Sequence, residues 1–122
     1  MSGITKMSIS EDDIKSILFN NLTSKEIARS IVYIADNPVP TGTCLRFPRT
    51  QIDIPWDAFL AFIDSDPTAN WSHSCRYVLL NCKTGEIRSF DAQFPPFRQD
   101  QQMHWRVAYK AKSVPDAAVV TK

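Results

Sequence analysis

Apolar and polar positions alternate along this chain with two periods, and the period changes several times between the ends. Ile14, Ile17, Leu18 and Leu22 recur at helical spacing. Ser10 stands before Glu11, Asp12 and Asp13, a hydroxyl cap followed by acids that suit the positive end of a helix dipole. A helix over 11–22 follows. Thr23 and Glu26 then form a capping-box pattern. Ile27, Ala28, Ile31, Val32, Ile34 and Ala35 behind it predict a second helix that ends before Asn37-Pro38-Val39-Pro40. The words around Thr23–Ile31 resemble the first half of a helix-turn-helix, but a proline-broken turn stands where a recognition helix is required, which argues against DNA binding.

Beyond Gly42 the spacing shortens. Residues 43–47 and 51–54 read as short strands, confined to sheet edges or ends by Pro48 and Pro55. Residues 56–63, Trp-Asp-Ala-Phe-Leu-Ala-Phe-Ile, read as a third helix, with Asp53 available to cap it and Pro55 suited to its first turn. Residues 75–82 and 86–92 are two runs of strand formers around Lys83-Thr84-Gly85, a hairpin with glycine where positive φ is needed. Residues 103–111 alternate strictly, Met103, Trp105, Val107, Tyr109 and Ala111 against His104, Arg106, Ala108 and Lys110, as in a strand with one face buried. Residues 117–120 carry enough apolar character for an edge strand in an otherwise free tail. The expected fold class is α+β: an N-terminal helical pair and a third helix packed on one face of a mainly antiparallel sheet of four to five strands. A curved version of that sheet would leave a pocket.

Composition limits the reading further. At 122 residues, 43% hydrophobic and 22% charged, the chain is sized for a single domain over 1–122, with flexible ends at about 1–9 and 113–122. A net charge of +1 argues against a dedicated nucleic-acid binder. Three cysteines without paired spacing, and no apolar N-terminal run, suggest a reducing, cytoplasmic setting away from membranes.

Candidate chemistry concentrates in residues 71–92. On a strand, His73, Cys75 and Tyr77 share one face, and an imidazole beside a thiol favours thiolate. His73, Cys75 and Asp91 on the returning strand are therefore the catalytic candidates of a small thiol enzyme. Zinc held by His73, Cys75, Cys82 and His104 is less favoured, because strand parity separates Cys82 from Cys75. Asp64, Asp66, Thr68 and Asn70 imitate the spacing of a calcium loop, yet Ala69 and Cys75 occupy the positions where glycine and glutamate are required, so a capped turn is the better reading. No phosphate loop, dinucleotide fingerprint or paired-carboxylate motif is present, and neither a metal nor a cofactor is expected. The favoured function is a non-catalytic protein-binding domain of the inhibitor, immunity or adaptor type. Its partner would be another protein, met through Trp71, Arg76, Tyr77, Asp64, Asp66, Phe94 and Phe97. A pocketed sheet with Trp71, His73 and Tyr77 at its mouth is the small-ligand alternative.

Overall fold

A computed structural model describes residues 10–47, 49–68, 74–94, 96 and 103–119. Two helices come first, α1 (Glu11–Asn21) and α2 (Ser24–Arg29). Both start as their sequences require: the Ser10 side chain accepts from the Asp13 amide, and Thr23 and Glu26 close the reciprocal capping box. Seven strands follow: β1 (Ile31–Ala35), β2 (Cys44–Phe47), β3 (Thr50–Asp53), β4 (Ala58–Asp64), β5 (Cys75–Asn81), β6 (Ile87–Ala92) and β7 (Trp105–Lys110). Five of them form an antiparallel sheet in the order β6-β5-β4-β1-β7, while β2 and β3 make a separate hairpin.

The three central strands of the sheet, β1, β4 and β5, are buried on both faces. Val32, Ile34, Ala61, Ile63, Val78 and Leu80 meet Ile14 and Leu18 of α1 and its C-cap Leu22 on one side. Tyr33, Leu60, Phe62, Tyr77 and Leu79 meet Phe47 and Ile52 of the β2–β3 hairpin, with Val114 from the C-terminal segment, on the other. This layering explains two departures from the expected elements. Residues 56–63 form no helix; they supply β4, whose seven side chains are all buried except the half-buried Phe59. A short run that is apolar at nearly every position fits a strand covered on both faces as well as it fits a buried helix, so periodicity could not decide. Likewise the second helix stops at Arg29, and Ile31–Ala35, rich in β-branched residues, becomes the fully buried β1. The described residues therefore contain two α-helices, both on one face, and a short 3-10 turn at Asp116–Ala118 where an edge strand was expected.

The strict alternation of 103–111 is also broken. Tyr33 pairs with Val107 and Val32 with Tyr109, so Ala108 is an extra residue in a β-bulge. The bulge turns Tyr109 to the helical side, where its ring meets Phe19 edge-on at 5.5 Å and its hydroxyl donates to the Ile27 carbonyl. After β7 the chain packs down: Ala111 and Val114 are buried, the Ala111 amide donates to the Ser30 carbonyl, and the Ser113 hydroxyl donates to the Ala28 carbonyl.

Candidate functional site

Residues 75–92 form the expected hairpin, with one difference that decides the chemistry. Asn81 pairs with Glu86 through the Asn81 amide and the Glu86 carbonyl at 2.8 Å, leaving a four-residue loop, Cys82-Lys83-Thr84-Gly85. The Asn81 side chain accepts from the Lys83 and Thr84 amides, and Gly85 closes the loop at φ 78°. A three-residue loop would have set Asp91 opposite Tyr77. The four-residue loop sets Asp91 opposite Arg76 and Ala92 opposite Cys75. Shifting register by one residue exchanges the faces. Asp91 consequently points to the helical side and Cys75 to the other, so the proposed catalytic pairing of the two is not made.

The carboxylate that does share the row and face of Cys75 is Asp64, its direct partner on β4. Sequence reasoning had assigned Asp64 to a helix end; only its placement on a strand brings it to the thiol. Both side chains are buried. Burial, with the nearby Asp64 charge adding to it, pushes the Cys75 thiol up to about 12. A buried thiol held protonated in this way packs at neutral pH as a small apolar side chain. Cys82 is buried in the hairpin loop at the far end of β5, about 23 Å along an extended strand from Cys75, which rules out a shared ion. Among the described residues no group of three His, Cys, Asp or Glu side chains could hold a metal.

The expected binding residues divide in the same way. Tyr77 is completely buried, stacked at 4.7 Å on Phe47, and its hydroxyl donates to the Phe94 carbonyl at 3.0 Å. Phe94 is half-buried with the Arg49 guanidinium over its ring, Asp66 is exposed, and the Asp66 amide donates to the Asp64 carboxylate at 3.1 Å. Trp71, His73 and Phe97 lie outside the described residues.

Arg76 is the most heavily bonded side chain in the described structure. Its Nε and Nη2 donate to the two oxygens of Glu26 at 2.8 and 2.9 Å, its Nη1 to the Asn21 side chain and Ser89 hydroxyl at 3.0 and 2.6 Å, and its Nη2 also to the Asn21 carbonyl at 3.1 Å. Five donors are thus spent inside the chain, joining the end of α1, the start of α2 and strands β5 and β6. Burial alone would raise the Glu26 carboxyl, but the bonds from Arg76 and Thr23 outweigh it and hold the group below its usual range. Tyr77 is thus buried in the core, and the Arg76 guanidinium is engaged by groups of the chain itself.

The open apolar surface lies elsewhere, at a place the sequence did not single out. Between α1 and β7 runs a groove of about 350 Å³, walled by Ser16 and Phe19 on one bank and Ala108 and Tyr109 on the other, with Leu18, Leu22 and Val32 at its floor. Phe19 is 45% exposed; the other exposed large apolar side chain among the described residues, Val107 at 37%, pairs with Tyr33 on the opposite face of the sheet and does not line the groove. The only earlier hint was that Phe19 falls outside the 14, 17, 18, 22 stripe of its helix. No helix among the described residues is long and apolar enough to cross a membrane. Compared with known proteins, the chain matches no family model, no curated protein and no solved structure.

Proposed function

We propose that this chain is a non-catalytic protein-binding domain that meets its partner at the groove between α1 and β7. The observation that carries this is the exposure of Phe19, an aromatic side chain resting edge-on against Tyr109 beside an apolar trough. Aromatic side chains flanking a cleft are the usual anchors of protein recognition. The hairpin register is consistent with this reading, since Cys75 is buried and Asp91 lies on the opposite face of the sheet from it. The volume of the groove also falls at the low end of small-ligand sites, roughly 300–1,000 Å³, which favours a small apolar ligand as the second reading.

The test is a Phe19→Ser variant, checked for unchanged circular dichroism and urea midpoint, compared with the wild type in affinity capture from the cell of origin. A protein retained stoichiometrically by the wild type and lost by the variant supports the proposal. Identical capture by both, or a small molecule released from the wild type alone, overturns it.

A further inference from the structure

The far bank of the groove owes its shape to the β-bulge in β7. Val107 pairs with Tyr33 and Tyr109 with Val32, so two consecutive residues, Ala108 and Tyr109, stand against the single Val32. In a regular strand neighbouring side chains point to opposite faces, and one of the two would be turned away from α1. Here Ala108, Tyr109 and Val32 all line the groove, and Ala108 and Tyr109 both pack on the cluster of the helical side. Re-aiming a side chain in this way is what bulges near sheet edges and binding sites do.

The two re-aimed residues contribute differently. Tyr109 is fixed: its ring meets Phe19 edge-on at 5.5 Å, and its hydroxyl donates to the Ile27 carbonyl. Ala108 brings only a methyl group to the same wall and is half-buried. A larger side chain at that position would project into the groove, so the room beside Tyr109 depends on the size of this one residue. The floor beneath is Leu18, Leu22 and Val32, which offers no partner to a buried charge. Along α1 the groove runs from Ser16 to Leu22, roughly 9 Å at a rise of ~1.5 Å per residue, whereas a partner helix is about 10–12 Å across. A helix cannot sink into it; a single side chain can.

We infer that Ala108 is the specificity-determining residue of the groove, leaving room beside the Tyr109 ring for one large uncharged apolar side chain of a partner polypeptide, of leucine, methionine or phenylalanine size. This rests on the protein-binding reading and states what that site selects: the bulge supplies the wall, Tyr109 holds it in place, and the methyl group of Ala108 sets the size admitted.

A random peptide library displayed on phage, panned in parallel against the wild type and Ala108→Leu, tests it. The wild type should enrich sequences sharing one large apolar residue, and a synthetic peptide of the enriched sequence should bind Ala108→Leu at least ~10-fold more weakly, while the urea midpoint of the variant stays level or rises because the added side chain covers apolar floor. Panning against Ala108→Leu should move the shared position to alanine or valine, an exchange of sizes that a merely structural role would not produce. If Ala108→Leu does not fold, Ala108→Val decides by the same readouts, since a β-branched residue suits a strand. Unfolding of both variants would show that the position is closely packed and overturns the inference. So does an absence of enrichment on the wild type, enrichment without a shared large apolar residue, or equal binding of the peptide by the wild type and the folded variant. Where any of these occurs and Phe19→Ser still abolishes capture of a whole partner, protein binding at the groove stands and only the role of Ala108 falls; where that capture fails too, both fall.

Discussion

Replacing Arg76 with methionine keeps most of the aliphatic stem while deleting a charge and five hydrogen bonds, and it isolates what that side chain does. The side chains of Arg76 and Glu26 are only 14% and 9% exposed. Removing one member of a buried pair leaves the other desolvated and uncompensated, at a cost of about 3–5 kcal/mol. The pair opens to solvent on the Arg76 side, so the lower end, about 3 kcal/mol, is expected. With a urea slope of ~1–3 kcal/mol per molar for a domain of this size, the midpoint should fall by more than about 1 M. The double variant Arg76→Met/Glu26→Gln should be less damaging than the sum of its parts. Glutamine can keep the capping box with Thr23, and no buried charge is then stranded. A loss below ~1 kcal/mol in Arg76→Met, the range of exposed pairs, or strict additivity in the double variant, would refute the assignment of Arg76 as the tie between helices and sheet.

Four further outcomes are expected. Because the folded carboxyl of Glu26 lies below its unfolded value of about 4.3, its contribution is present at neutral pH and is lost as pH falls through the folded pKa; stability measured against pH should show a shallower acid limb in Glu26→Gln than in the wild type. Of the three free cysteines only Cys44 is exposed, so a thiol reagent at neutral pH should label one site rapidly and Cys75 and Cys82 only after denaturation; labelling of native Cys75 at the Cys44 rate would contradict its burial. Since the folded Cys75 pKa is raised, its share of stability is present below about pH 8.5 and disappears as pH rises toward 12, an alkaline loss that Cys75→Ala should lack. Gly85→Ala forces a side chain onto φ 78° and should cost about 1–2 kcal/mol by urea unfolding, whereas Thr84→Ala beside it should cost less.

What the sequence disclosed, it disclosed where local chemistry is specific. Ser10 and the Thr23–Glu26 box marked both helix starts, and Gly85 marked the hairpin turn. It misled where burial is complete, because Ile31–Ala35 and Ala58–Asp64 are apolar on both faces and carry no alternation to read. The candidate site failed on a smaller quantity, a single loop residue: the composition of Cys82–Gly85 suits a three- or a four-residue loop, and that choice alone puts Asp91 beside Cys75 or behind it. Arg76 looked like a contact residue because nothing local reveals that Asn21 and Glu26, 55 and 50 residues away along the chain, converge on it.

The position of β7 beside β1 also governs the order in which the molecule can be completed. β4, β5 and β6 follow one another as neighbours and can pair as soon as each emerges, while β1, made early, has its second partner only when the chain reaches Trp105. Until then the sheet ends in five consecutive apolar residues with half their backbone groups unpaired, a sticky border during synthesis, and its pairing with β7 is the longest-range strand pairing among the described residues. β7 therefore acts as the last stave of the structure: its arrival replaces an apolar margin with a basic, bulged one and fastens the late chain to the last turn of α2 and its cap through Ile27, Ala28 and Ser30.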